Sequence, residues 1–248
     1  MAIAIRDSAF ASLSDELRAL LRRYVKQIGA TFGEDLAAIL LYGSGAGQDY
    51  LPDRSNVNVL VLLARHNPEA LRRYAALHRT WKKEQVMPLF LASEDLRAAR
   101  ERFPLEYEDM AELHLVLAGD DPFTEPAVEP SVLAEACRRE LRGQLVRLRQ
   151  RFVEGGGTVE AVLMLLPLSL TAVLPALRAL VRVYGRPVRR TADAVIQDVQ
   201  ALMGLDLAAF ADVLQVKRGQ IGPGPAETPR LYDRYVAALE ALVTASEK

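Results

Sequence analysis

The segment Gly119 to Pro130, GDDPFTEPAVEP, separates two regions of different hydrophobic rhythm. Its prolines at 122, 126 and 130 remove backbone donors and fix φ, and its acidic side chains resist burial. No regular element can run through it. Before it, short apolar runs alternate with stretches of helical spacing; after it, the spacing is helical throughout. Such a chain is neither one sheet nor one bundle. The pattern predicts an α+β (α/β) domain with a mixed sheet over residues 1–125, followed by an all-α helical bundle over residues 126–248.

Within the first region, residues 14–31 place Leu17, Leu20, Leu21 and Tyr24 on one helical face, with Ser14 as the N-cap. The runs 36–42, 57–63 and 86–91 read as strands, and residues 105–110 as a last one. Pro68 opens a helix between the second and third runs, and Ser93 is the expected cap of a short helix, SEDLRAARER. The second region predicts helices over 131–154, 158–184, 191–203, 207–217 and 228–246. Residues 161–177 carry no charge, which is near the lower length limit for a membrane span. Pro167, Pro175, Ser169 and Thr171 interrupt that stretch and Arg178 follows it, so a buried central helix is predicted and no membrane is implied.

Composition narrows function little. The 31 Lys and Arg balance 32 Asp and Glu, so no general pull toward nucleic acid or anionic lipid follows. Cys137 is the single cysteine, which excludes an intrachain disulfide and reads as a packing residue. MAIAIRDSAF lacks a basic start followed by an apolar core. With the reduced cysteine this makes a cytoplasmic location the expectation.

Chemistry concentrates in LYGSGAGQDYLPDRSNVNVLVLL, residues 41–63. Gly43 after an apolar strand lets backbone approach a ligand, Ser44 adds a hydroxyl, and Gly45 and Gly47 keep the next turn open. Asn56 and Asn58 lie two apart on a strand, so both side chains leave one face while Val57 and Val59 take the other. Carboxylates at such a pair would clamp Mg²⁺.

Gly-Ser, about ten residues, then Ser-Asp-hydrophobic-Asp is the motif of the nucleotidyltransferase superfamily, of which polymerase beta and kanamycin nucleotidyltransferase are members. Gly43-Ser44, Gly47 and Ser55-Asn56-Val57-Asn58-Val59 resemble it at the same spacing, and the order of an α/β domain and a helical domain is similar too. The resemblance implies a nucleoside triphosphate or other phosphate ligand bound through Gly43, Ser44 and Gly45, with metals held by two aspartates. Here both aspartate positions are asparagine. An amide offers a neutral oxygen, and Mg²⁺ sheds its water reluctantly, so a neutral pair holds it poorly.

Nearby carboxylates are the possible source of replacement charge. Glu106 and Glu108 alternate onto one face of the expected strand at 105–110 and are the candidate catalytic carboxylates. Asp49 and Asp53 lie in the loop before Asn56 and read as turn residues. His66, His78 and His114 do not cluster at metal-ligand spacing, and the helical half has no histidine, so no metal or ribonuclease motif is assigned there. The run Arg79-Thr-Trp-Lys-Lys offers Trp81 as a stacking surface, but reads more simply as the cationic end of an amphipathic helix. The Arg-rich stretch 138–151 reads as a solvated helix face, with a phosphate-holding lining of an interdomain cleft as the alternative.

Three functions follow in order. The first is a nucleotidyltransferase-like protein with a degenerate metal site, needing no confident cofactor, which binds a nucleotide or phosphate and acts in regulation. The second is an active enzyme whose rearranged carboxylates take up Mg²⁺. The third is a protein-interaction module, with the helical half as a homo-oligomer or partner surface.

Overall fold

The computed structural model describes residues 3–52, 54–125 and 127–247. The chain divides into two compact units: Met1–Phe103 with Met110–Ala127, and Pro104–Asp109 with Val128–Lys248.

The first unit is built on four strands, β1 (Leu36–Tyr42), β2 (Val57–Leu63), β3 (Val86–Ala92) and β4 (His114–Gly119), in the order β3-β2-β1-β4. β1 runs antiparallel to both β2 and β4, whereas β2 and β3 are parallel, so the sheet is mixed. A parallel pair needs a crossover, supplied by the helix α3 (Pro68–Lys83). Alternation along the strands sends Ile39, Leu41, Val57, Val59, Val61 and Leu63 into one core. The long helix α2 (Asp15–Phe32) closes that core with Leu21, Tyr24 and Ile28, behind a short N-terminal helix, α1 (Asp7–Phe10). Ser14 caps α2 as expected, accepting from Leu17 N–H.

Both edges of the sheet are guarded. Residues 4–6 lie along β4, with Arg6 N–H on Leu117 O (2.9 Å) and Gly119 N–H on Ala4 O (3.0 Å). On β3, Val57 N–H donates to Gln85 O, a register that turns Pro88 away from β2. Its missing N–H therefore costs no ladder bond and blocks an added strand.

Three sequence expectations change here. Residues 105–110 are not a strand; they lie in the helix α5 (Pro104–Glu112). Leu105 and Tyr107 mimic a period of two, but burial of Tyr107 and Met110 follows the helical spacing of three. The fourth strand is instead His114–Gly119, an apolar run next to the Pro-rich connector. Ser93 does not cap its helix α4 (Ser93–Arg102) but is its first residue: Ser93 Oγ donates to Leu63 O, and Asp95 accepts Ala92 N–H (3.2 Å). Trp81 is no stacking surface, because it is 4% exposed and packs edge-on against Tyr24 with ring centroids 4.9 Å apart.

The second unit contains α6 (Pro130–Glu154), α7 (Val159–Val183), α8 (Ala192–Met203), α9 (Ala208–Arg218) and α10 (Thr228–Ser246). Glycines 155–157 close the α6–α7 hairpin, and α7 packs on α6, α8, α9 and α10. α7 is long and apolar enough to cross a membrane by length and composition. In the fold it is the central helix, burying Leu166, Leu170, Val173, Leu177 and Val181. Its Ser169 is buried too and meets Tyr235 Oη at 3.2 Å. Cys137 is fully buried against Ala176 O, and burial pushes its thiol up to about 12, so it is the packing residue its sequence context implies. The N-terminal half of α5 belongs to this unit through Asp109, which pairs with Arg178 (2.6 Å), and Glu108, which pairs with Arg182 (3.2 Å).

Two outcomes test this packing. Leu166→Ala, at a fully buried position, should lower the unfolding free energy by about 2–5 kcal/mol in a denaturant titration. The second concerns Asp35, which accepts Asn67 Nδ2 (2.5 Å) and Arg65 Nε (2.8 Å) while Asn67 Oδ1 caps α3. The Asn67 bond, then Arg65, holds the Asp35 carboxyl below the usual carboxylate range. A lowered folded-state value stabilises above the unfolded value, about pH 4, and that stability is lost as pH falls through the folded value. Asp35→Asn should therefore be less stable than the parent at pH 7, with the gap narrowing in matched urea melts as pH falls below about 4.

Candidate functional site

β1 ends at Tyr42, and the chain enters a 3-10 turn at Gly43–Gly45. Gly43 sits at φ +68°, in the left-handed region, and its N–H donates to Leu113 O (3.1 Å). Its carbonyl accepts from Ala46 N–H (3.1 Å) and Gly47 N–H (3.0 Å), which closes the turn. Ser44 and Gly45 are the next residues of the turn, and the first amides of any helical turn have no partner within it. The Ser44 side chain is half-buried, whereas Gly45 is buried with Leu41 beneath it.

The loop that follows is folded on itself. Ser55 N–H donates to Leu51 O (2.9 Å) and Ser55 Oγ accepts Leu51 N–H (3.1 Å), which delivers the chain into β2. Ser55 is buried, Asn56 exposed and Asn58 half-buried. Asn58 Nδ2 lies so near Gly43 that a Cβ there would stand 3.4 Å from it. The turn and the second asparagine are thus adjacent, as the sequence spacing predicts.

Register adds residues that spacing cannot supply. Tyr42 pairs with Asn58 on β2 and with His114 on β4, and Asn58 pairs with Met87 on β3. Partners in register share a face, so Met87, Asn58, Tyr42 and His114 form one row across the sheet beside the turn. None of the four strands contains Asp, Glu, Lys or Arg. The row is a thioether, an amide, a phenol and an imidazole. Met87 is 39% exposed and Leu89, two residues along the same face, 36%. His114 Nδ1 faces the carbonyls of Met110 (3.1 Å) and Ala111 (3.0 Å), and Nε2 lies 3.3 Å from Asp121 Oδ2. Phe123 packs against the imidazole at 5.0 Å.

The other sequence candidates separate from this row. Glu106 and Glu108 do not share a strand face; two residues apart on α5, they diverge around the helix. Glu106 is exposed, and the buried Glu108 accepts Val128 N–H (2.5 Å) besides pairing with Arg182. Asp49 is half-buried in the loop, and Asp53 lies outside the described residues. His66 pairs with Asp95 (2.7 Å) and His78 lies beside Tyr74. Among the described residues no group of three or more His, Cys, Asp or Glu could hold a metal ion.

No protein-family model and no curated protein match the sequence. Among solved structures the chain is similar to a spectinomycin adenyltransferase from Enterococcus faecialis, crystallised with ATP and spectinomycin. The TM-score is 0.53 at 12% identity, over 90% of this chain and 98% of that one. At this identity the likeness is one of fold: the chain has a nucleotidyltransferase-type architecture, an α+β unit followed by helices.

Gly43→Ala tests the turn. The left-handed backbone should cost about 1–2 kcal/mol for any residue with a Cβ, and thermal melts should show that loss. Gly222→Ala, where a Cβ would meet open space and φ is not positive, should stay close to the parent.

Proposed function

We propose that this protein is a nucleotidyltransferase-like binder of a nucleotide or other phosphate ligand, and that it works by binding rather than by efficient metal-assisted transfer. The observation that carries the reading is Asn58 beside the Gly43 turn, with the second amide, Asn56, two residues before it. These positions match the metal-binding aspartates of the family the sequence resembles, on a fold shared with an adenyltransferase. The donor set does not fit Mg²⁺. Two amide oxygens bring no charge, and neither β3 nor β4 contributes a carboxylate to the same face. Nucleotidyl transfer needs cations to neutralise charge developing on the phosphate.

The same substitution helps a phosphate bind directly. Two carboxylates without a metal repel an anion, whereas amide N–H groups donate to it. Ser44 Oγ, the amides of the turn and Asn58 Nδ2 then form a neutral cradle. A role in sensing or regulation follows from binding without turnover. Rescue by Glu106 or Glu108 has lost the strand on which it was founded, since Glu108 is already paired and Glu106 is on a helix.

Calorimetric titration with ribonucleotides, with and without Mg²⁺, tests the reading. Binding should survive EDTA, and no pyrophosphate should be released from triphosphates. Asn56→Asp with Asn58→Asp should weaken metal-free binding and make it Mg²⁺-dependent. Nucleotide binding that requires Mg²⁺ in the unaltered protein, with release of pyrophosphate, would overturn it. An absence of nucleotide binding under both conditions would move the function to protein partners.

A further inference from the structure

We infer that the site selects a nucleoside monophosphate over the corresponding triphosphate, with Met87 and Leu89 as the platform for its ring. The inference rests on the phosphate-binding reading above and adds the ligand class. Its ground is the row Met87–Asn58–Tyr42–His114 and the absence of Asp, Glu, Lys and Arg from all four strands.

Charge sets the number of phosphates. A phosphate monoester carries about −1.5 to −2 at pH 7, and each further phosphoryl group adds charge that must leave water. Neutral amides and hydroxyls replace part of the lost hydration, but they do not cancel a growing net charge. With no carboxylate pair to recruit Mg²⁺, the β- and γ-phosphates have no counter-ion on the strands. They are a burden here, whereas a metal-dependent site would gain from them.

The ring is placed by register. Met87 is the direct partner of Asn58, one strand spacing away, about 4.8 Å. Leu89 follows on the same face, beside its partner Leu60, which is buried. A phosphate at Asn58 and Ser44 therefore leaves its organic part next to two exposed apolar side chains. A thioether favours the edge and face of an aromatic ring, so a nucleobase suits the patch better than a sugar alone. Asn56, exposed two residues before Asn58, is the polar side chain nearest in sequence that could meet the ribose or the ring edge.

The test uses the full chain, EDTA, and four ligands by calorimetry: AMP, GMP, ATP and ribose 5-phosphate. AMP or GMP should bind more tightly than ATP, and ribose 5-phosphate more weakly than either monophosphate. Met87→Ala should weaken monophosphate binding by about 2- to 10-fold, the span of a sulfur–aromatic contact. It should leave ribose 5-phosphate unchanged. Met87→Leu should retain most of the affinity, and the exposed position makes both variants foldable, as circular dichroism would verify. ATP binding more tightly than AMP without metal would overturn the inference while leaving metal-free nucleotide binding standing. Equal binding of AMP and ribose 5-phosphate, or an unaffected Met87→Ala, would remove the platform. If no ligand binds in EDTA, both the inference and the reading beneath it fall.

Discussion

The pairing of β1 with β2 is the constraint on which the first unit depends. One register, Tyr42 opposite Asn58 and Leu40 opposite Leu60, does two things at once. It aligns Ile39, Leu41, Val59 and Val61 toward the core beneath α2 and α3, and it sets Tyr42 and Asn58 side by side on the other face. A slip of one residue would send the asparagines into that core and the valines out of it. Burial of those valines therefore fixes the geometry of the site, although none of them touches a ligand. Gly43 completes the arrangement: its left-handed φ turns the chain back over the strand end, beside the Asn58 amide.

The helical unit rests on a different device. α7 carries almost no polar surface inside the bundle: its buried Ser169 meets Tyr235, and Arg178 pairs with Asp109 through Nη1 while its Nε is buried without a hydrogen-bond partner among the described residues. Pro167 and Pro175 lie within α7, which is packed on four other helices, and Thr171 Oγ1 donates to the Pro167 carbonyl (2.8 Å). The acidic residues Glu108 and Asp109 are consumed as partners for Arg182 and Arg178. Removing one member of such a pair leaves a buried charge alone, which makes these carboxylates costly to divert to catalysis.

Most elements were legible in the sequence because their signals are local. Strand limits at 36–42 and 57–63 came from apolar runs bounded by Gly, Asn and Asp, and the helices of the second unit from long stretches of 3.6-residue spacing. Residues 104–112 were misread because a six-residue window cannot separate a period of two from one of 3.6 when Leu, Tyr and Met fill both. The run at 114–119 was hidden by its neighbour, since a short strand ending at a Pro-rich connector looks like the start of the connector. Trp81 was ambiguous for another reason: its flanking lysines are solvated while its ring turns inward, which only the helix's orientation on the sheet reveals.

By itself the sequence determined the class of architecture, the turn at Gly43–Ser44 and the neutral pair at 56 and 58. Those features are encoded by residue type and by spacing of a few positions. The tertiary structure alone decided the row. Met87 and His114 lie 29 and 56 residues from Asn58 along the chain, and nothing in their local sequence marks them. They join Asn58 and Tyr42 because hydrogen-bonded register, enforced by burial of the opposite face, puts the ends of four strands in line. Local composition fixes what each strand end offers; long-range pairing fixes which of them meet.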